Sequence, residues 1–129
     1  MQARFKVEAD PSRDLIRIEM AGFFKQDDIE AFRSARRAAH ARLTCGPNQH
    51  VTLNDLRDLN IQSQDTVAAF QALLASPAYR SRLLAFVVSP TLARSQLSRA
   101  LNGRDARTFP TIAAAEEWLF SPQPDAIAS

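Results

Sequence analysis

A single cysteine in 129 residues excludes an internal disulfide, so the chain is not held together as a small secreted scaffold is. Cys45 fits a reducing compartment instead. Glycine is nearly as scarce: there are three, and none sits in a phosphate-cradling loop. The two histidines, His40 and His50, lack Cys, Asp or Glu at ligand spacing, so no metal site is expected. No apolar run approaches the roughly 20 residues needed to span a bilayer. The start, Met1-Gln2-Ala3-Arg4-Phe5, has no apolar stretch of signal-peptide length and alternates like a strand. A cytoplasmic location without stable membrane insertion is the expectation. Neither sign of charge dominates: 16 basic against 14 acidic residues leave +2, too little to argue for nucleic acid.

What is present is a hydrophobic fraction of 46% against 23% charged, enough to build one soluble globular domain. Its focus is Leu83-Leu84-Ala85-Phe86-Val87-Val88-Ser89, six apolar residues followed by serine and Pro90. So short a run, rich in branched and aromatic residues, suits a strand covered on both faces and central to one sheet.

The segments around it alternate or repeat with helical period. Phe5, Val7 and Ala9 oppose Arg4, Lys6 and Glu8; Ile16, Ile18 and Met20 oppose Arg17 and Glu19. These two half-buried strands flank the turn cluster Asp10–Asp14, which is too short for a parallel crossover, so an antiparallel hairpin is predicted. Gly22 ends the second strand. Lys25 to Leu43 reads as a helix with Ile29, Phe32, Ala35, Ala39 and Leu43 on its buried stripe, acidic residues at its start and arginines in its second half. Arg33, Arg37 and His40 border the stripe as a basic edge, which suits a solvated face better than an anion grip. The alanine-rich outer face (Ala31, Ser34, Ala38 and Ala41) admits a homodimer.

Thr44–Asn48 breaks the first helix, and Cys45 within it has no base or partner thiol in the pattern. His50 to Leu56 is a third strand with Val51 and Leu53 inward. Ser63 caps a second helix carrying Val67, Phe70, Leu73 and Leu74, which Ser76-Pro77 stops. Ser89-Pro90 starts a third helix through Leu92, Leu97 and Leu101, ending at Asn102-Gly103. Ala106, Thr108 and Phe109 make a short last strand. Pro110-Thr111 opens a final helix with Ile112, Ala115, Trp118 and Leu119 on one face, where Trp118 serves as a core anchor.

The order β-β-α-β-α-β-α-β-α predicts an α/β fold: an N-terminal hairpin, then successive βα units in a mixed, mainly parallel five-stranded sheet. Alternation in the first three strands leaves one sheet face less well covered, so the helices gather mostly on one face. Residues 1–120 form a single domain and residues 121–129 a disordered tail.

This arrangement resembles the STAS domain, in particular its SpoIIAA-like branch, from about Phe5 to Leu119. The residues that carry the likeness are the hairpin, Gly22-Phe23-Phe24 before the long helix, Asp55-Leu56-Arg57 closing the third strand, the Leu84–Ser89 strand, and the Phe109…Ala115-x-x-Trp118-Leu119 end. The resemblance implies a working surface at the amino end of the second helix. In the anti-sigma factor antagonists of that family, a serine there is phosphorylated by a partner kinase. The antagonists carry an Asp-Ser-Ser-Gly type motif, whereas this chain reads Asn60-Ile61-Gln62-Ser63-Gln64-Asp65, with Ser63 in roughly the corresponding place.

The leading expectation is therefore a non-enzymatic regulatory module. It would bind an unidentified protein partner through the loop before helix two, with Ser63, Asp55, Arg57 and Asp58 as partner-binding or phospho-acceptor candidates. The alternative is a lipid or nucleotide bound at the carboxyl edge of the sheet, where Gly22, Asp55, Arg57, Ser89 and Thr111 should converge. A third reading makes Asp55 and Asp58 an acid/base pair, but nearby aspartates in a loop more often serve as caps or as partners of an arginine such as Arg57. No catalytic residue and no cofactor is expected.

Overall fold

The structure is a computed structural model, and it describes residues 2–46, 48–60, 62–75, 81–93 and 105–121. Five strands form one sheet in sequence order: β1 (Arg4–Asp10), β2 (Leu15–Gly22), β3 (Val51–Leu59), β4 (Leu83–Val87) and β5 (Ala106–Phe109). β1 and β2 are antiparallel, and every later pair is parallel. The hairpin turns through Pro11–Arg13, where proline supplies its fixed φ and Asp14 adopts φ 50. The Asp10 carboxylate accepts from the Ser12 hydroxyl at 2.6 Å and from Arg13 Nε at 3.1 Å, which tightens the turn.

Parallel neighbours cannot be joined by a tight turn, so each connection must cross over the sheet. The helices α1 (Gln26–His40), α2 (Gln64–Ala75) and α3 (Pro90–Ala93) follow β2, β3 and β4 in turn. A strand order that runs steadily 2-3-4-5, with crossovers of one hand, puts these helices on one side. There Ile16, Ile18, Met20, Leu56 and Phe86 of the sheet pack against Ile29, Phe32 and Ala39 of α1 and Leu92 of α3. Half-buried Phe5, Val7, Phe70 and Leu73 close the edges of that core.

α4 (Ile112–Phe120) alone among the described helices covers the other face. Its Ala115 and Leu119, with Ile112 and Trp118 beside them, lie over Leu15, Val51, Leu53, Leu83, Ala85 and Val87. Nine residues of helix span only about 13 Å. The outer face of β1 and most of β2 is consequently bare and charged, with Lys6 directly across from Glu19 and Glu8 across from Arg17. Arg17 also reaches Glu116 of α4 at 3.7 Å, marking where that cover ends.

The predicted architecture is the observed one, with differences of detail. β4 is an interior strand buried on both faces, but β3 holds the middle position. β3 also continues to Leu59, three residues past the predicted end, because an irregularity in its pairing with β2 lets the ladder run on. α1 is shorter than Lys25–Leu43 at both ends. The stop at Ser76-Pro77, the later part of the third helix with Leu97, Leu101 and Asn102-Gly103, and most of the predicted tail lie outside the described residues. Among the described residues no helix is long and apolar enough to cross a membrane.

Phe86 is 3% exposed and packs in the larger core. Phe86→Ala should cost about 3–5 kcal/mol through the cavity it leaves, a large share of the 5–15 kcal/mol typical of a whole domain. A urea titration measures this as a lowered midpoint at unchanged slope, and an unmoved midpoint would contradict the packing of β4.

Candidate functional site

The corner where β2 and β3 end is built on one glycine. Gly22 has φ 83, and a Cβ placed on it would lie 2.2 Å from the backbone oxygen of Gln2, so no other residue fits without moving the N-terminal strand. The chain then splits a phenylalanine pair. Phe24 turns inward, 0% exposed, with its ring 6.3 Å from Phe5 and 5.8 Å from Phe70; Phe23 turns outward and is 37% exposed. α1 starts immediately after, with the Asp28 carboxylate accepting from the Lys25 N–H at 2.9 Å in a favourable place for negative charge.

The second half of the corner is held to the first by a side chain. The Gln62 carboxamide is buried between the two turns. Its Oε1 accepts from Phe24 N–H at 2.8 Å, while its Nε2 donates to the Gly22 oxygen at 3.0 Å and to the Asn60 oxygen. One amide thus satisfies backbone groups that the end of a parallel strand pair leaves open. Asn60 N–H adds a direct bond to Gly22 oxygen at 3.1 Å.

Ser63 follows as the cap of α2. Its hydroxyl accepts from Thr66 N–H at 3.2 Å and donates to Thr66 Oγ1 at 3.1 Å, and Thr66 passes its own hydrogen to the Phe24 oxygen at 3.0 Å. Ser63 nevertheless stays exposed. It heads an open groove of about 490 Å³ between α1 and α2, with Phe23 on the rim among Lys25, Arg33, Glu30 and Asp65.

Asp55, Arg57 and Asp58 are not part of this groove. Along β3, Thr52, Asn54 and Leu56 face the three-helix side, while Val51, Leu53 and Asp55 face the other. Strict alternation would return Asp58 to the three-helix side. Instead Glu19 pairs with Asp55 but Ala21 pairs with Asp58, an extra residue on β3. This β-bulge exposes Arg57 and Asp58 together and restores Leu59 to the larger core. The candidate set is therefore divided between opposite faces of the sheet. Asp55, Asp58, Arg4, Lys6 and Glu19 line a separate recess of about 210 Å³.

Asp55 and Arg57 form a two-point ion pair, Nε to Oδ1 at 2.9 Å and the terminal guanidine nitrogen to Oδ2 at 2.8 Å. The Arg57 guanidinium bound to it holds the Asp55 carboxyl below its ordinary value, against the smaller effect of burial. That makes Asp55 a partner of Arg57 rather than a proton carrier near neutral pH. Ser89 and Thr111, also at the carboxyl ends of strands, each spend their hydroxyls on capping: Ser89 accepts from Leu92 N–H at 3.2 Å, and Thr111 from Ala114 N–H at 3.1 Å. Gln62 and Phe23 were not foreseen as site residues. The doublet Phe23-Phe24 at a strand end did carry a signal for the second, since adjacent side chains there cannot both face the core.

No family model matches the sequence, and no curated protein matches it either. The structure is similar to that of an uncharacterised protein of the DUF3478 family with a SpoIIAA-like fold, from Shewanella loihica PV-4. The TM-score is 0.69 at 15% sequence identity, covering 92% of this chain and 96% of that one. The fold is SpoIIAA-like. At this identity the likeness carries the architecture, and the site must be argued from its own residues.

Within the SpoIIAA-like fold the two neighbouring residues of the corner should behave differently. Gln62→Ala strands buried backbone groups on both turns and should cost about 2–3 kcal/mol. Ser63→Ala removes a cap and should cost about 1 kcal/mol, while Ser63→Asp, which also caps, should cost less. Denaturant midpoints of the three variants check the ranking.

Proposed function

We propose that the chain is a non-enzymatic regulatory module that binds a protein partner at the corner formed by the β2–α1 turn and the amino end of α2. The observation that carries this reading is Phe23: a large apolar side chain left 37% exposed beside Ser63, at the head of an open groove. An exposed aromatic ringed by charges of both signs is the usual composition of a protein contact, with an anchor inside a polar rim. The corner's rigidity supports the reading too. Gln62 and Thr66 fix the backbone beneath Phe23, so binding orders little that is not already ordered.

Ser63 is the residue through which such a contact would be controlled. The amino end of α2 favours negative charge through its helix dipole, and a phosphate there carries about −1.5 to −2 at neutral pH. Asp65 lies on the same rim and adds like charge, so a modified Ser63 would turn this end of the groove strongly acidic. The fold would accept the change; an acidic partner surface would not.

Quantitative affinity capture from the native cell, run side by side with variants, tests the reading. Proteins held by the unmodified chain should fall by about tenfold or more with Phe23→Ala, as an interface anchor demands. They should fall again with Ser63→Asp and stay constant with Lys6→Ala on the opposite sheet face. Retention that ignores Phe23→Ala, or that depends on Lys6, would overturn the proposal.

A further inference from the structure

β1 is an edge of the sheet, and among the described residues no strand pairs with its outer side. Its inner side is fully used, since all seven residues, Arg4–Asp10, are in register with β2. Every second peptide group of such a strand points outward with its N–H and carbonyl open. The apolar face of β1 is unfinished as well. Met20, Ile18 and Ile16 of β2 are buried, whereas the residues directly across from them, Phe5, Val7 and Ala9, are only half-buried. The larger core therefore ends at this edge on three apolar side chains that nothing fully covers.

The charges on the other face of β1 run in a definite order: Arg4 and Lys6, then Glu8 and Asp10. Two bases followed by two acids are their own complement when the strand is reversed. Because outward peptide groups recur at every second residue, two copies of β1 pair antiparallel only about an axis through one residue, and like faces then meet. An axis through Val7 overlaps the whole strand. It sets Arg4 opposite the second copy's Asp10 and Lys6 opposite its Glu8, and the two-fold repeats both contacts. On the apolar face Phe5 meets the second copy's Ala9, and Val7 meets Val7. Every other axis shortens the overlap and sets like charges opposite each other. The longest ladder and the complete charge match coincide in one register.

Lys6 also bonds Glu8 of its own strand at 2.7 Å, so the cross-copy contacts close a ring of four alternating charges rather than adding isolated pairs. On β2, Glu19 lies across from Lys6 and Arg17 across from Glu8, which extends the alternation over four strands.

We propose that β1 is a self-complementary docking edge whose partner is a second copy of this chain, the two β1 strands pairing antiparallel about Val7 to join both sheets into one. The inference is independent of the partner-binding reading, because the Ser63 groove lies on the side of α1 that faces α2. A two-fold axis normal to the sheet keeps each face on its own side, so α1 approaches its copy above the joint. The flank of α1 turned to that edge begins at Asp28, which shares a recess with Gln2 and Ala3, and continues at helical spacing through Ala31, Ala35 and Ala38. Side chains that short leave room for the second helix. The assembly closes at two copies, since the pairing uses both β1 edges and leaves only the four-residue β5 at either end.

Sedimentation equilibrium of the full chain, from micromolar concentration to about 1 mM, tests the edge. A reversible dimer is expected, weak because a seven-residue joint is a small interface. Lys6→Glu and Glu8→Lys each set like charges across both symmetry-related contacts and should each weaken the dimer by about tenfold or more. Mixed in equal amounts, the two variants regain opposite charges at both contacts and should associate at least as tightly as the parent chain. Hydrogen exchange followed by nuclear magnetic resonance should show every second amide of β1 gaining protection as the dimer forms, in the parent and in the mixture alike. A chain that stays monomeric to about 1 mM would overturn the proposal. So would a dimer whose outward β1 amides stay unprotected, one that ignores both substitutions, or a mixture no tighter than its components.

Discussion

Parallel strands impose the constraint on which this molecule depends: each must be followed by a crossing segment, and crossings of one hand in a steadily advancing sheet all fall on the same side. α1, α2 and α3 obey it, so the larger core forms between them and the sheet. The other face is left to α4, which covers the amino half of β3 and the whole of β4 but leaves β1 to solvent. The protein thus has one thick apolar layer, one thin one, and a charged window. The charges in that window are arranged in facing pairs, which makes it a solvated surface rather than a field of one sign.

Where the thick layer ends, open backbone groups must be satisfied, and the corner beside α2 shows how closely stability and accessibility are joined there. Gln62, Ser63 and Thr66 use short side-chain bonds to complete what strands and helices cannot. Because those bonds are internal, they free the outward-facing side chains from any structural duty. Phe23 has no core to fill, and its exposure becomes intelligible once the support beneath it is seen.

Much of this could be read in the residues. Period-two alternation in β1 and β2 reported a half-buried hairpin, the unbroken run Leu83–Val88 reported a strand enclosed on both sides, and Ser63 and Thr111 announced the helices they cap. What stayed hidden was contact between residues distant in sequence. Nothing near Gln62 says that its amide will bridge to Phe24, 38 residues earlier. Nothing around His50 says that a ring ten residues away will supply its partner. The bulge was hidden for another reason: Asp55-Leu56-Arg57-Asp58 is polar enough to pass for the start of a loop, and only the pairing with β2 shows the strand continuing through it. That misreading gathered Asp55, Arg57 and Asp58 with Ser63, whereas alternation already sets Asp55 and Arg57 on the far side of the sheet and the extra residue turns Asp58 out with them.

β1 ends the sheet at one side, and its outer peptide groups offer a template on which an extended chain from another molecule can hydrogen-bond. Edge growth of that kind becomes fibrillar only when successive sheets also stack through dry, interlocking faces. Here the face beside that edge carries Arg4, Lys6 and Glu8, all exposed, so a second sheet laid over it would have to strip water from three ionised side chains on every strand. The hairpin can therefore remain an uncovered edge in a crowded solution without seeding a deposit, and the same alternation that made it legible as a strand is what keeps it from becoming one layer of many.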